Sequence, residues 1–224
     1  MIKVLPIKSI DAAPWLLEKH YAKRMCPISF AFGAFEGGEL VGVITYGTPS
    51  SSTLRVGICG SNYSDRVLEL NRLCCNSKKN LASRLVGQSL KMLPKPSIVV
   101  SYADIEQGHI GYIYQACNFI YTGLSAKRTD WKIKGMEHLH CATIADISRG
   151  KENRAQFMRE KFGDDFYLQD RSRKHRYIYF LGGKKDITEM RSALKYKQEP
   201  YPKGESNRYD AGSDVVSQRL LFNN

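Results

Sequence analysis

The sequence predicts an α/β fold in which a mixed β-sheet carries helices on both faces. Short apolar runs of strand length alternate along the chain with longer runs of helical periodicity, and proline and glycine separate them. Hydrophobic residues make up 42% of the 224 residues and charged residues 25%, which is typical of a globular protein with a packed core. We expect one folded domain over residues 1–185 and a polar, partly ordered tail over residues 186–224.

The first predicted elements are a strand, a helix and a hairpin. Val4–Ile7 is short and apolar, and Ala12–Tyr21 has helical spacing after Asp11, a residue type that often caps a helix start. The runs Phe30–Phe35 and Leu40–Tyr46 are apolar and rich in aromatic or β-branched residues. Because two adjacent glycines separate these runs, they predict a pair of antiparallel strands.

In the middle of the chain, an irregular loop is predicted before a strand, a helix and a second strand. Residues 49–63 are rich in Ser, Gly and Thr, which favours a loop. Val67–Cys74 alternates as a strand does, and Leu81–Leu93 repeats its apolar residues at helical spacing until two prolines stop it. Ser97–Tyr102 is apolar throughout, which is typical of a strand covered on both faces.

The remaining segments extend the same alternation with a weaker pattern. Gly108–Cys117 predicts a helix and Phe119–Tyr121 a short strand. Asn153–Phe162 predicts another helix, and Arg176–Leu181 a strand that could close the sheet. Lys195–Asn224 is polar and poorly patterned, so we expect it to be loosely ordered. This order of elements implies a mixed sheet with helices on both faces.

The chain is strongly basic. It has 34 Lys and Arg residues against 22 Asp and Glu, a formal charge of +12 and a pI of about 9.4. Such an excess favours a salt-sensitive encounter with nucleic acid, although a basic surface without a specific partner explains it equally well. We find neither the roughly 20 apolar residues that span a bilayer nor a secretory signal, and therefore expect a cytoplasmic protein with reduced cysteines.

Three sequence blocks resemble the phage Mom protein family. They are Glu69–Leu73 (ELNRL), Ser101–Asp104 (SYAD) and Gly108–Gly123 (GHIGYIYQACNFIYTG). Trp15, the pair His20-Tyr21 and the segment GVITYG ending at Gly47 add to the resemblance, which keeps its order and spacing over roughly the first 125 residues.

The resemblance implies both a fold and an activity. The fold is GNAT-like: a mostly antiparallel central sheet flanked by helices, here over residues 1–185 as a catalytic domain. The activity places a carbamoylmethyl group on the exocyclic amino group of adenine in double-stranded DNA, which protects phage DNA from restriction. The residues alone indicate only a basic α/β domain with a polar cluster.

Polar residues on two predicted strands are candidates for the chemistry. In a GNAT-like sheet the fourth and fifth strands diverge, and the donor binds between them. Arg72 interrupts the fourth strand, and its planar guanidinium suits a phosphate or carboxyl group, whereas Glu69 is explained slightly better by an internal ion-pair network. Asp104 ends the buried strand, where the resemblance implies a general base or an orienter of the adenine amino group; helix capping is the alternative.

Several aromatic residues and a histidine complete the predicted catalytic set. The resemblance implies a tyrosine that protonates the leaving group, with Tyr114 as first choice and Tyr112 as second. An aromatic helix face packed on the sheet is the alternative for whichever tyrosine is not catalytic. His109 lies three positions before Tyr112, so the two share a helix face. Tyr46 either contacts base or donor or is an aromatic at the sheet edge.

The segment before the third predicted helix is the expected donor site. GNAT enzymes hold a pyrophosphate there with a glycine-containing loop, and this chain has no glycine at that place. A helix N-terminus and nearby cations still favour an anionic donor, either acyl-CoA or an activated glycine such as glycyl-tRNA. The predicted donor-binding residues are Lys78, Lys79, Asn80, Leu81, Ala82, Ser83 and Arg84.

A metal site has little support from residue spacing. His109 with Asp104, or His138 with His140 and Cys141, would supply ligands for iron or another divalent metal. Neither spacing is diagnostic, so the metal stays unassigned.

Two basic and aromatic groups predict contacts with DNA. One would bind phosphates and the other would stack on a base extracted from the duplex, although a solvated charge run is the common alternative. The predicted DNA-binding residues are Lys127, Arg128, Trp131, Arg171, Arg173, Lys174 and Arg176.

Two other functions fit the same residues. An N-acetyltransferase acting on a small molecule or protein would use the same fold, and a non-enzymatic DNA-binding protein would explain the charge. An adenosylmethionine-dependent methyltransferase is excluded, because its glycine-rich loop and its DPPY-like segment are missing.

Overall fold

A computed structural model describes residues 1–139 and 141–205, and they form two compact units. The first, called the sheet unit, contains residues 1–124 and the segment from Lys174 onward. The second, called the insert unit, contains Ser125–Arg173. The predicted boundary at residue 185 stays a prediction, and residues 206–224 of the predicted tail lie outside the described residues.

Nine strands and seven helices are assigned in the described residues. In chain order they are β1 (Lys3–Pro6), α1 (Ser9–Pro14), β2 (Phe30–Glu36), β3 (Glu39–Gly47), α2 (Ser52–Cys59), β4 (Val67–Cys75), α3 (Leu81–Met92), β5 (Ser97–Asp104), α4 (Tyr112–Ala116), β6 (Ile120–Leu124), β7 (Thr129–Ile133), α5 (Cys141–Asp146), α6 (Arg154–Phe162), β8 (Phe166–Asp170), β9 (Lys174–Leu181) and α7 (Lys184–Ser192).

The sheet unit is built on seven strands in the order β1-β2-β3-β4-β5-β9-β6. The β4 and β5 strands pair in parallel, and the other neighbours pair antiparallel. The prediction of a mixed, mostly antiparallel sheet is therefore confirmed. The strand predicted at Arg176–Leu181 does not close an edge, because β9 lies between β5 and β6 and hydrogen-bonds to both.

Helices cover both faces of this sheet, as predicted. On one face, α3 buries Leu81, Leu85 and Val86 against strand residues that include Ile44 and Val99. On the other face a separate cluster joins residues of α2, α7 and the strands. Its buried members are Ile58, Cys59, Val67, Ile98, Val100, Ile178, Phe180 and Met190.

The predicted irregular loop over residues 49–63 is wrong, because this segment forms α2 and a 3-10 turn. The Ser51 side chain caps the helix by accepting the Leu54 N–H at 3.2 Å. Ile58 and Cys59 are then buried against the sheet, which stabilises the helix by apolar burial despite its Ser, Thr and Gly content.

Two predicted helices have different bounds. The first begins after Lys8, not Asp11, and its last turn, Trp15–Lys19, widens to π-helical hydrogen bonding directly after Pro14, which has no N–H to donate. The helix predicted from Gly108 is shorter, because Gly111 has a left-handed φ of 78° and α4 begins only after it.

A bulge in β4 changes which side chains share a face. Thr45 of β3 pairs with Arg72 and Tyr46 pairs with Leu70, so Asn71 is an extra residue in β4. After the bulge, Leu73 packs in the same core cluster as Leu70. Strict alternation would place Leu70 and Arg72 on one face, and the bulge interrupts that alternation.

The insert unit has its own small core. Strands β7 and β8 pair antiparallel, and Ile133, Ile144 and Met158 are buried between them and the helices α5 and α6. The prediction of a helix at Asn153–Phe162 is confirmed, with Asn153 as the cap that accepts the Gln156 N–H at 3.1 Å. Across the described residues of both units, no helix has the length and apolar character needed to cross a membrane.

Candidate active site

The β4 and β5 strands stop pairing part-way along the sheet, and we call the place where they diverge the slot. The two strands are paired from Val67 and Ile98 to Leu70 and Ser101. Beyond that point β4 continues on β3, and β5 continues on β9 to Asp104. The Ser101 hydroxyl donates to the Leu70 carbonyl at 3.0 Å and closes the last shared position. The predicted divergence of the fourth and fifth strands is therefore present.

Titratable and polar side chains from five segments meet around this slot. We call them the slot cluster: His20, Tyr21, Glu69, Arg72, Ser101, Asp104, His109, Tyr114 and Lys174. Burial raises the pKa of Tyr21, which Lys174, Asp104 and Arg72 modify by their charges. Burial also raises the pKa of Tyr114, with smaller effects from Ser101, Tyr21 and Glu69. Arg72, Asp104 and Tyr114 thus lie in one cluster.

Arg72 presents a buried donor to the slot. One of its terminal nitrogens donates to the Asn71 carbonyl at 2.7 Å. Its Nε–H is buried and has no hydrogen-bond partner among residues 1–139 and 141–205. An unpaired buried donor is costly, which makes this N–H a candidate for binding an acceptor on a ligand.

The Glu69 carboxyl group binds a proton more readily than an exposed glutamate does. Burial raises the pKa of Glu69, and the charges of Arg72 and Lys174 partly oppose that effect. No lysine, arginine or histidine nitrogen in the described part of the chain forms a salt bridge with its carboxylate. The side chain can therefore bind or release a proton without breaking an ion pair.

Asp104 is held from two sides. Its Oδ2 forms a 2.8 Å salt bridge with Lys174 Nζ, and its Oδ1 accepts the Glu106 N–H at 3.1 Å. The second contact caps the 3-10 turn Ile105–Gln107, so the capping alternative is realised together with the position at the slot. Lys174, which the sequence predicts to contact DNA phosphates, is thus the partner of this carboxylate, and its contact with DNA stays a prediction.

Two histidines in the cluster have pKa values below the usual range. Burial, together with Arg72 and His109, lowers the pKa of His20 to about 3. Its Nδ1 accepts the Ala22 N–H at 3.0 Å, which leaves the ring proton on Nε2. Burial also lowers the pKa of His109, which Asp104 partly opposes, and the His109 ring lies 6.0 Å from that of Tyr21.

The three predicted tyrosines have different environments. Tyr114 packs on Tyr177 with ring centroids 5.3 Å apart and points to Ser101. Tyr112 is 66% exposed and does not join the slot cluster. Tyr46 is fully buried, and its hydroxyl lies 2.7 Å from Ser89 Oγ. The description of Tyr46 as a sheet-edge residue is wrong, because β3 lies inside the sheet and the ring is part of the core.

The predicted donor loop leads into α3 as expected, but its side chains have different environments. Lys78 forms a salt bridge with Glu36, whereas Lys79 is exposed. Asn80, Ser83 and Arg84 line a groove of about 640 Å³ that continues along α3 to Lys91 and Lys95. Leu81 is buried in the core and Ala82 packs against it.

This groove is suited to an anion, and it is separate from the slot cluster. Three cations line it, and none of its described lining residues is acidic. No slot-cluster residue is among them.

The predicted DNA-binding residues are mostly engaged within their own units. Arg171 pairs with Asp130, and Arg173 donates to the Ser125 carbonyl at 2.7 Å. Arg176 donates to the Thr122 hydroxyl at 2.9 Å. Its guanidinium also lies 3.4 Å from the centre of the Tyr196 ring.

The other three predicted DNA contacts lie in the insert unit and are at least partly accessible. Lys127 and Arg128 are exposed, and Trp131 is half-buried. Residues 171–176 thus make contacts within their own units, and their predicted binding of DNA phosphates stays a prediction.

Comparison with known proteins identifies the family. A sequence model described as the Mom protein family matches residues 1–203. The chain belongs to the Mom protein family. The methylcarbamoylase mom of Escherichia phage Mu is 32% identical over 195 residues, which cover 83% of this chain and 77% of the phage Mu protein. The resemblance inferred from the three blocks is confirmed.

Solved structures with a related fold are GNAT acetyltransferases. A GNAT family member from Bacillus cereus has a TM-score of 0.42 at 14% identity, covering 80% of this chain and 97% of that one. An N-acetyltransferase from Staphylococcus aureus has a TM-score of 0.42 at 13% identity, with coverage of 80% and 98%. The GNAT-like description of this Mom family chain rests on its strand order and on the divergence of β4 and β5.

Metal ligands do not gather in the described part of this Mom family chain. No group of three or more His, Cys, Asp or Glu residues that could hold a metal ion occurs there. His109 and Asp104 are close, but each has other partners within the cluster. His140, one of the ligands proposed from the sequence, lies outside the described residues.

Sequence reasoning missed several slot residues. His20 and Tyr21 were quoted for the resemblance to the Mom family but given no role, and Ser101 likewise. His20 and Tyr21 follow α1, far from β4 and β5 in sequence, and only tertiary packing brings them to the slot. The adjacent histidine and tyrosine within the resembling region were the available signal.

Proposed function

We propose that the protein is a transferase that modifies adenine in double-stranded DNA, converting the exocyclic amino group to a carbamoylmethyl derivative. The observation that carries this proposal is that a member of the Mom family, related to a phage Mu methylcarbamoylase, gathers Arg72, Asp104 and Tyr114 at one slot. The reaction takes place in the cytoplasm of the infected cell and protects phage DNA from restriction.

The nucleophile is the adenine amino nitrogen, which must lose a proton as it attacks the donor. Asp104, whose side chain is positioned by the salt bridge with Lys174, accepts a hydrogen bond from the amino group and orients it. Glu69 takes the proton, because its raised pKa and its lack of a salt bridge suit a general base. To reach this site the adenine must leave the duplex, as in other base-modifying enzymes.

The donor is an activated acyl group on an anionic carrier. The unpaired Arg72 Nε–H binds an acceptor atom of the donor in the slot, and the cations of the α3 groove bind the phosphates of its carrier. Burial keeps the Tyr114 hydroxyl protonated by raising its pKa, which suits a general acid for the leaving group. Acyl-CoA and glycyl-tRNA both satisfy these requirements.

An activated glycine accounts for the product by atom balance. The amino nitrogen attacks the glycyl carbonyl and the carrier leaves with a proton, which gives an N-glycyl adenine. The glycyl amine then attacks the adenine carbon that bears this amide through a five-membered ring, and the bond from that carbon to the amide nitrogen breaks. The amide becomes a primary carboxamide, so the result is the carbamoylmethyl isomer with no atoms gained or lost.

Mass spectrometry of nucleosides from cells that express the chain tests the proposed function. We expect a new adenine nucleoside whose mass exceeds that of deoxyadenosine by one glycyl residue, and its loss in Glu69→Gln and Asp104→Asn. Tyr112→Phe is the matched control, because Tyr112 is exposed and lies outside the slot cluster. Acetylated products without modified DNA would support the N-acetyltransferase alternative, and unmodified DNA with retained binding would support a DNA-binding protein.

Purified protein, DNA and isotopically labelled donors identify the carrier. Transfer of label from glycyl-tRNA or from a glycyl thioester to adenine supports the activated-glycine donor. Label that reaches DNA from neither donor excludes it.

A further inference from the structure

We propose that a pocket in the insert unit binds one unpaired nucleotide of a nucleic-acid strand. This inference rests on the proposed function, because an enzyme that modifies a base in duplex DNA must bind nucleotides that are not stacked. The pocket measures about 340 Å³, which is in the range of single-ligand sites and far too small for a duplex. Its lining residues are Thr129, Asp130, Trp131, Cys141, Ala145, Arg154 and Arg171.

Both guanidinium groups of the pocket are fixed by the insert unit itself. Arg154 Nε donates to Ser148 Oγ at 3.0 Å, and another of its nitrogens donates to the Ala145 carbonyl. Arg171 Nε donates to Asp130 Oδ1 at 2.9 Å, and this ion pair lowers the pKa of Asp130 against the opposing effect of burial. Because both side chains are already ordered, a ligand loses little affinity to their immobilisation.

The charge of the pocket fits one phosphodiester. Two arginines contribute two positive charges and Asp130 removes one, so the fixed groups carry a single net positive charge. A phosphodiester within a strand carries one negative charge, whereas free inorganic phosphate at neutral pH carries more. Among the described lining residues, Asp130 balances the charge of Arg171, and no second carboxylate balances that of Arg154.

An aromatic wall supplies the surface for a base. Trp131 lies on β7 with its ring 5.2 Å from that of Phe166 in an edge contact and 5.7 Å from the Arg154 guanidinium carbon. The ring is only half-buried and borders the pocket. Indole and guanidinium planes are the surfaces on which single-stranded bases stack.

The chemistry of the site does not distinguish two sources of such a nucleotide. A strand of the substrate DNA offers an unpaired base next to the extracted adenine, and an RNA-borne donor offers a single-stranded end. Both combine a planar base with a phosphodiester. The experiment therefore contains a DNA arm and an RNA arm.

Tryptophan fluorescence of the full-length protein reports directly on this pocket. The chain has two tryptophans, and Trp15 is buried in the sheet unit. In Trp15→Phe, the remaining fluorescence comes from Trp131. We expect a single-stranded DNA octamer or its RNA counterpart to quench this fluorescence, and an abasic octamer or inorganic polyphosphate to leave it unchanged, because quenching requires a stacked base.

Matched arginine variants separate the pocket from general electrostatics. Arg154→Met should weaken octamer binding about tenfold, the effect of losing one good stacking and charge contact. Arg159→Met removes the same charge from an exposed position of α6 outside the pocket and should change binding less than twofold. If Trp15→Phe does not fold, fluorescence anisotropy of a labelled octamer makes the same comparison between the arginine variants in protein that retains Trp15.

The outcomes either support or overturn the nucleotide site. Quenching by only the DNA or only the RNA octamer assigns the source. Equal quenching by the abasic octamer, or equal losses in Arg154→Met and Arg159→Met, would overturn the proposal. If these experiments show no nucleotide binding at the pocket while modified adenine is still found in cellular DNA, the nucleotide site is overturned and the proposed function is not.

Discussion

Replacing Lys174 by methionine removes the cation that faces Asp104 and keeps the aliphatic stem. The two charged atoms lie 2.8 Å apart, and the side chains are 40% and 11% exposed. At that distance the attraction is about 6 kcal/mol for an effective dielectric constant of about 20. Lost hydration and partial solvation of the lysine offset most of it, so we expect the free energy of unfolding to fall by about 2 kcal/mol.

Urea unfolding followed by circular dichroism measures this loss. A double-mutant cycle with Asp104→Asn should give a coupling energy of about 1–2 kcal/mol, because the second substitution removes the carboxylate that the first leaves unpaired. Lys185→Met is the matched control: Lys185 is 89% exposed and lies 4.0 Å from Glu189, so its loss should cost less than about 0.5 kcal/mol.

DNA binding by the same variants separates two roles of Lys174. If it supports Asp104, affinity for DNA and its salt dependence should be nearly unchanged in Lys174→Met. Wild-type stability combined with weaker, less salt-dependent DNA binding would refute the ion-pair reasoning and return Lys174 to the phosphate contacts that its sequence context predicted.

Three further predictions follow from the slot and its supports. Glu69→Gln should lower the rate of adenine modification at least about 100-fold and abolish the acidic limb of the pH–rate profile, because the base works only above its raised pKa. The unfolded chain protonates His20 below pH ~6.5, whereas the folded protein does so only near pH ~3. The free energy of unfolding of the wild-type protein should therefore fall by up to about 1.4 kcal/mol per pH unit between these two values. Urea unfolding at pH ~6.5 and ~5 should show a smaller fall in His20→Gln. Gly111→Ala should cost more than about 2 kcal/mol in thermal unfolding, because its Cβ would lie 2.3 Å from the Tyr177 ring, whereas Gly135→Ala, also at positive φ but in open space, should cost about 1 kcal/mol.

Most of the sheet followed from local patterns in the sequence. Strands β2, β3, β4 and β5 and the helix α3 have strong periodicity and clear breakers, so their bounds were predicted to within about two residues. The α2 helix was missed because its Ser, Thr and Gly content indicates a loop, whereas burial of Ile58 and Cys59 and the cap at Ser51 stabilise it as a helix.

The candidate site followed from the sequence only where residues lie on the diverging strands or directly after them. Arg72, Asp104 and Tyr114 were placed by strand order and by the family resemblance. The role of Lys174 was predicted from its charged neighbours, and no local pattern shows that β9 places it opposite Asp104. Long-range strand pairing decides such partners, and local periodicity carries no signal for that pairing.

The position of β9 also sets the order in which the slot cluster becomes complete. β5 is synthesised early, but its antiparallel neighbour emerges only after the chain has passed through β6 and the entire insert unit. Closing so long a connection is slow compared with forming the hairpin of β2 and β3. A nascent chain therefore displays Asp104 without its lysine until β9 docks, and the slot cluster is complete only in the finished sheet.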